Sequence, residues 1–237
     1  MNKLKLMLCA LALTLAPLAA YAAPVAGVVI SLTGKPQIKA AGTQALKRLA
    51  LNRFVYEGDT VKTGPGEKVG IAFVGGAELR INENSEFEME SGGGTKPTSV
   101  KTSLGQGWTR LLHGKSGIRV RTPVAVCAVR GTEADVDMNG RMTVKVYEGH
   151  VDVSNEQGSQ SMTAGQMTQV GGAGQAPDAP KAMEAADVGT WQNGLKPADL
   201  NKSQALLKQA AEKNRTLELE MEKDGQKKKV KINLEKK

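Results

Sequence analysis

The sequence predicts a mainly β protein: a compact antiparallel β-rich domain, sandwich or solenoid-like, followed by a linker, one helix and a C-terminal β-hairpin. Across residues 25–170, short apolar or alternating runs are separated by Gly, Pro, Asn and Asp, which is typical of successive strands. Within residues 69–73 and 77–81 alternate positions are apolar, so one face of each strand is expected to be buried. The final segment alternates on both sides of Asp224-Gly225, a strong hairpin signal.

Residues 1–22 have the pattern of a secretory signal peptide. Lys3 and Lys5 precede an apolar run, and Ala20-Tyr21-Ala22 supplies small residues before the expected cleavage point near Ala22. The apolar run is shorter than the roughly 20 residues that span a bilayer. We therefore expect a periplasmic or secreted protein that does not span the membrane.

The mature chain is predicted to have three parts. Residues 23–170 form the β domain, residues 171–197 form a linker rich in Gly, Ala and Pro, and residues 198–237 form a helix plus a β-hairpin. A two-residue turn at Asp224-Gly225 places glutamates of one hairpin strand opposite lysines of the other. The predicted pairs are Glu222 with Lys227, Glu220 with Lys229 and Glu218 with Lys231.

Charge, aromatic content and cysteine content argue against some classes of function. The formal net charge is +8, but export argues against nucleic acid as the partner, and aromatic residues for base stacking are scarce. If Cys9 leaves with the signal peptide, Cys127 is the one remaining cysteine. Its apolar neighbours predict a small buried residue and not a disulfide partner or a nucleophile.

The acidic stretch from Asp135 to Gly140 resembles the start of a calcium loop. That loop needs a glutamate at its twelfth position, where this sequence has Val146. A strand, the three-residue turn Asn139-Gly140-Arg141 and a return strand account for the pattern better, because they place all the apolar residues on one side. The predicted pairs are Met138 with Met142, Val136 with Val144, Ala134 with Val146, Asp137 with Thr143 and Asp135 with Lys145. In this interpretation the two aspartates lie on a solvated strand face.

No catalytic or metal-binding pattern is found in the sequence. His113 and His150 are the only histidines, and neither has another histidine or a cysteine two or four positions further along. The Gly-x-Ser-x-Gly spacing of a nucleophile elbow is absent from the sequence, and the glycines lack the context of a phosphate loop. We therefore predict neither an enzyme nor a cofactor.

Several segments together resemble the FecR domain, named for the periplasmic part of ferric citrate regulators. They are "EGDTVKTGPGEKVGIAF", "AELRINENSEFEM", "IRVRTPVAVCAVRGTEADV", "VKVYEGHVDV" and "MTAGQMTQV". Two departures from the family pattern are Gly75-Gly76, where Asp-Gly is usual, and Ala134, where a large apolar residue is expected. The most specific residues are Gly58, Asp59, Thr63, Gly64, Thr122, Pro123, Arg130, Gly131 and Thr132, our candidate structural or interaction residues.

The residue types themselves indicate structural roles for some of these positions. Gly58-Asp59 and Thr63-Gly64 have turn chemistry, and Gly131 permits a bend. Arg130 is expected either to pair with a carboxylate such as Asp59 or Glu133, to cap carbonyl groups, or to bind a ligand. The regulator form carries an anti-sigma segment and a transmembrane helix ahead of the domain. We expect a signal peptide here instead, and therefore no direct control of a sigma factor.

The functional hypothesis is a non-catalytic periplasmic binding or scaffolding protein in cell-envelope signalling or assembly. Its partner would be an envelope protein or a cell-wall polymer, contacted through exposed strand edges or the C-terminal unit. The alternative is a structural or adhesion-related exported spacer that contacts anionic envelope polymers through its basic C-terminal region.

Overall fold

The computed structural model describes residues 23–93, 96–111, 117–130, 133–195, 200–213, 216–223 and 226–233. Several sequence-based predictions concern residues outside these ranges. They are the signal peptide, His113, Gly131, Thr132 and the turn Asp224-Gly225.

Strands dominate the described chain, which confirms the predicted mainly β fold with one helix near the C-terminus. In chain order the strands of the β-rich part are β1 (Val25–Thr33), β2 (Gln37–Lys39), β3 (Leu46–Arg48), β4 (Phe54–Tyr56), β5 (Thr60–Lys62), β6 (Lys68–Phe73), β7 (Ala77–Ile81), β8 (Glu86–Ser91), β9 (Thr98–Leu111), β10 (Ile118–Arg121), β11 (Val126–Val129), β12 (Glu133–Asn139), β13 (Arg141–Glu148), β14 (His150–Asn155), β15 (Gly158–Thr163), β16 (Gln166–Val170) and β17 (Lys181–Ala182). They are followed by α1 (Leu200–Lys213), β18 (Thr216–Lys223) and β19 (Gln226–Asn233).

The strands form two sheets that share β9. The first sheet has the order β4-β1-β6-β7-β9-β12-β13-β16-β17. The second has the order β3-β2-β5-β8-β9-β10-β11-β14-β15. Neighbouring strands are antiparallel except β9 and β10, which are parallel. The apolar side chains of both inner faces, among them Phe73, Phe87 and Ile118, form one buried core.

Strand β9 passes from one sheet to the other at Gly105. Residues 98–104 pair within the second sheet, and residues 105–111 pair with β7 and β12 of the first. Gly105 has a φ of +113°, and an added Cβ would lie 2.5 Å from the Ser85 Cα. Glycine therefore meets both a backbone and a steric requirement at the point where the sheets join.

The β12–β13 hairpin has the predicted register. Met138 lies opposite Met142, Val136 opposite Val144, Ala134 opposite Val146, Asp137 opposite Thr143 and Asp135 opposite Lys145. The apolar residues of these pairs face the core. The prediction that both aspartates are solvated is wrong for Asp135, which is 1% exposed because another segment covers it.

The covering segment is residues 171–195, within the predicted linker. It first runs along the sheet margins: Asn155 donates to the Gln175 carbonyl at 2.6 Å, and β17 pairs with β16. Two short 3₁₀ helices, Ala185–Asp187 and Trp191–Gly194, then lie over the outer face of the first sheet. A segment rich in Gly, Ala and Pro cannot form a hydrophobic core by itself, but this one still packs against the sheet.

Helix α1 packs at the opposite side of the same face. Leu207 is fully buried in a small cluster with Val25, Val28 and Ala72. Gln204 donates to the Phe73 carbonyl oxygen at 2.6 Å. The described part of the chain contains no helix long and apolar enough to cross a membrane.

Strands β18 and β19 pair in the register predicted from their charges, with Glu218, Glu220 and Glu222 opposite Lys231, Lys229 and Lys227. The division of the chain at residues 22, 170 and 197 remains a prediction.

We predict that Gly105→Ala strongly destabilises the protein. A non-glycine residue at positive φ costs on the order of 1–3 kcal/mol, and the overlap with the Ser85 backbone adds to this cost. Urea unfolding measures the loss.

Gly140→Ala is the matched control, because Gly140 also has a positive φ, +76°, but open space around an added Cβ. Its loss should be limited to the conformational cost. Equal losses in the two variants would show that the sheet junction does not need glycine for steric reasons.

Candidate interaction surface

The family-specific residues Gly58 and Asp59 form a buried turn. Asp59 is 3% exposed, and its carboxylate accepts the backbone N–H groups of Ala41 and Tyr56, both at 3.0 Å. Gly58 has a φ of +88°, which favours glycine. These contacts hold the β4–β5 connection against the β2–β3 connection, and they use both oxygens of Asp59.

The hydroxyl groups of Thr63 and Thr122 serve neighbouring backbone groups. Thr63 donates to the Asn82 carbonyl at 2.6 Å and accepts from the Ser85 N–H at 3.0 Å. Thr122 donates to the Ala125 carbonyl at 2.9 Å and accepts the Ala125 N–H at 3.1 Å, which closes the turn around the exposed Pro123. Gly64 donates its N–H to the Glu67 carboxylate at 2.7 Å. An interaction role for these residues remains a prediction.

Arg130 contacts neither Asp59 nor Glu133, the carboxylates named from the sequence. Its Nε lies 3.2 Å from an Asp152 oxygen, and its side chain is 71% exposed. His150 and Ser161 also contact Asp152, at 3.1 and 2.6 Å. The Ser161 hydrogen bond, with His150 and Arg130, holds the pKa of Asp152 below its usual range. This polar group lies at an exposed end of the second sheet.

The outer face of the first sheet holds a buried ionic network. Glu78 is fully buried and accepts from Arg80 Nε at 2.7 Å and from Arg110 Nη2 at 2.6 Å. Both guanidinium groups also lie near the Trp108 ring, at 4.9 and 5.8 Å from its centroid. Because burying an unpaired charge is costly, this network depends on all its members being in place.

Asp135 lies beside this network and binds the covering segment. It accepts from Trp191 Nε1 at 2.8 Å and from Gln106 Nε2 at 2.9 Å. Burial raises the pKa of Asp135 to about 6, and the two hydrogen bonds and Lys145 oppose part of that shift, whereas Asp137 adds to it. The carboxylate therefore carries its charge at neutral pH only at a cost in folding free energy.

Cations of the sheet hold the backbone of the covering segment. Lys68 donates to the Trp191 carbonyl at 3.1 Å, Arg80 to the Gln192 carbonyl at 2.6 Å and Lys145 to the Asp187 carbonyl at 2.6 Å. Each of these carbonyls thus gains a charge-assisted hydrogen bond. The outer face of the first sheet is consequently occupied by the chain itself.

The outer face of the second sheet lacks such a cover among the described residues. It carries exposed or half-exposed charged residues on neighbouring strands, with pairs such as Lys62 and Glu86 at 2.7 Å. Other charged residues on this face include Lys101 with Glu88, Arg121 with Glu90, Arg119, and the Arg130 and Asp152 pair. This exposed face is the candidate interaction surface.

The described residues include no group of three or more His, Cys, Asp or Glu side chains arranged to hold a metal ion. Cys127 is a buried free thiol whose pKa is raised by burial and by the charge of Asp152. This agrees with the interpretation of Cys127 as a small core residue, because a thiol with a raised pKa is a poor nucleophile.

Sequence reasoning missed the contact between Asp135 and Trp191, which are 56 positions apart. One signal was present: the whole chain contains two tryptophans, and Trp191 stands just after a stretch of Gly, Ala and Pro. A large aromatic residue in such a segment indicates a docking point.

A comparison with models of protein families agrees with the sequence resemblance. Residues 59–152 match the model of a family described as FecR protein, which confirms the predicted FecR domain. No curated protein matches the sequence.

Two crystal structures of a candidate anti-sigma factor from Parabacteroides distasonis ATCC 8503, at 2.50 and 1.65 Å resolution, are similar to this chain. The identities are 16% and 17%, and the TM-score is 0.46 for both. Each match covers 53% of this chain and 60% of the other.

We predict that Trp191→Phe loosens the covering segment. The variant keeps an aromatic ring but loses the hydrogen bond to buried Asp135, a loss of about 1–3 kcal/mol. Hydrogen exchange should become faster in residues 185–195. Val188→Thr is the control, because Val188 is 49% exposed on the same segment. Unchanged exchange in Trp191→Phe would mean that the indole does not hold the segment.

We also predict a distinctive pH dependence of stability from Asp135. Its pKa is higher in the folded state, about 6, than the ordinary 3.8, so between these values the folded state binds more protons than the unfolded state. Its contribution to stability is therefore greatest at low pH, falls as pH rises from about 4 to about 6, and then levels off. The total fall is on the order of 3 kcal/mol.

The measurement is the difference in unfolding free energy between Asp137→Asn and Asp135→Asn plus Asp137→Asn from pH 4 to 7. Carboxylates that do not interact with Asp135 contribute equally to both proteins, whereas Asp137 interacts with it and is changed to Asn in both members of the comparison. The altered hydrogen bonding of the amide shifts the whole curve more than it changes its slope. Parallel curves for the two proteins would rule out this titration.

Proposed function

We propose that this chain, whose residues 59–152 form a FecR domain, is a non-catalytic binding or scaffolding protein of the cell envelope. The main observation in support is the contrast between the outer faces of its two sheets. The face of the first sheet is occupied by the chain's own residues 185–195, whereas the face of the second carries charged side chains open to solvent. A fold that covers one face and leaves the other charged presents a defined surface to a partner.

The family match supports a signalling-related role. The finer parts of the proposal are the periplasmic location and the binding of an envelope protein. They are supported by the signal-peptide pattern of residues 1–22 and by the lack of a recognisable catalytic motif in the sequence. Among the family-specific residues, Asp59, Thr63 and Thr122 are proposed to shape the turns of this module, because their side chains bond to the protein's own backbone.

Strand addition at the β3 edge of the second sheet is less favoured than binding on the face. Strand β3 forms one edge of the second sheet, but it is only three residues long and two of those are Lys47 and Arg48. Short, positively charged edges are how natural sheets avoid pairing with other strands.

The alternative is a spacer that contacts anionic polymers through the basic C-terminal region. The register of the C-terminal hairpin places three of its lysines opposite glutamates, so the hairpin is less basic than its lysines alone suggest. This makes the alternative weaker than a composition-based argument suggests.

Native capture from a periplasmic fraction of the source organism tests the proposal. We expect the full mature chain to retain a specific envelope protein at moderate ionic strength, and to retain it equally after Lys227, Lys228 and Lys229 are changed to Gln. Capture that disappears in the lysine variant and falls steeply with salt would favour the spacer. Capture of no protein by the wild type would remove the support for a binding module.

A further inference from the structure

One part of the exposed second-sheet face has an arrangement of charge that folding alone does not favour. Arg121 on β10 lies directly opposite Lys101 on β9, and Arg119 lies two positions earlier on β10 on the same face. We call these three residues the β9–β10 basic patch. Like charges placed opposite each other in a sheet repel and lower stability.

Neighbouring carboxylates only partly offset this repulsion. Lys101 Nζ lies 3.9 Å from Glu88, and Arg121 Nε lies 3.7 Å from Glu90, longer than a good charge-assisted hydrogen bond. The side chains of Lys101 and Arg121 remain 57% and 58% exposed. Both cations therefore keep donors free for another acceptor.

The whole guanidinium group of Arg119 is available to a partner. It is exposed, and no hydrogen bond or ion pair connects it to another described residue. Its cross-strand neighbours are Ser99 and Ala128, both small. The guanidinium group thus stands over a low, flat surface that a partner's chain can approach closely.

The spacing of the patch fits an extended acidic polypeptide. Arg119 and Arg121 are two positions apart on one strand, about 6.6 Å along it, which is also the repeat of alternate side chains in an extended peptide. Arg binds carboxylates through two parallel hydrogen bonds. Lys101 adds a third cation on the next strand, whose backbone lies about 4.8 Å away.

We propose that the β9–β10 basic patch binds an extended segment of a partner protein with acidic residues at alternate positions. This inference rests on the proposed function, because it identifies where on the binding module the partner docks and what chemistry that partner presents.

The test measures binding of a fluorescent ten-residue peptide of alternating Glu and Thr to the full mature chain. We expect saturable binding that Arg119→Glu plus Arg121→Glu weakens at least tenfold, since two charge-assisted contacts become repulsive. The control is Lys47→Glu plus Arg48→Glu on exposed β3, which changes the net charge equally. The control should weaken peptide binding by less than about threefold, because salt screens charges that do not contact the peptide.

A second probe distinguishes the class of partner. An anionic polysaccharide, polygalacturonate, should bind the wild type more weakly than the peptide does. Tighter binding of the polysaccharide, or equal weakening of peptide binding by the β3 control, would overturn the proposal.

Stability measurements separate a binding role from a structural one. Arg121→Thr removes the repulsion with Lys101, so its Tm should equal or exceed that of the wild type while peptide binding weakens. A clear fall in Tm would show that Arg121 supports the fold.

Native capture with the Arg119→Glu plus Arg121→Glu variant distinguishes a wrong docking site from a wrong proposed function. If the wild type and this variant capture the same partner equally, the patch is not the docking site but the binding module stands. If the wild type captures nothing, the proposed function itself fails.

Discussion

The whole sandwich depends on a single strand that belongs to both sheets. Strand β9 pairs with β8 and β10 through its first half and with β7 and β12 through its second. Gly105 permits the change of sheet because a side chain there would overlap the Ser85 backbone. The strands before β9 lie on one side of it and those after it on the other, so one strand sets the relative position of the two halves of the core.

The two outer faces of this sandwich have different surroundings. On the first sheet, Glu78 and Asp135 are buried charges whose partners come partly from the sheet and partly from residues 185–195. Their burial ties the C-terminal segment to the β sandwich, since removing that segment would leave Asp135 without its Trp191 donor. On the second sheet, Arg119, Arg121 and Lys101 remain in water, and their mutual repulsion is affordable only because solvent and salt screen it.

Local patterns in the sequence predicted the parts of the structure that depend on local rules. The β12–β13 register followed from alternation, because only a three-residue turn keeps Met138, Val136 and Ala134 on one face. Alternation shows on which face a residue lies, but it cannot show whether a distant segment covers that face, so the burial of Asp135 was missed. The partner of Arg130 was missed for a related reason: Asp152 comes close through the pairing of β11 with β14, which are not consecutive strands.

The late position of the covering segment has a consequence for the order of folding. Residues 25–182 supply every strand of both sheets, so a sandwich that forms before Trp191 and Leu207 dock holds Asp135 in water and leaves Val28 and Ala72 without their helix. In that interval the first sheet presents an apolar area that could attach to another chain. Docking of the last segment closes this interval, and a slow final folding step should therefore report on α1 and residues 185–195 rather than on the core.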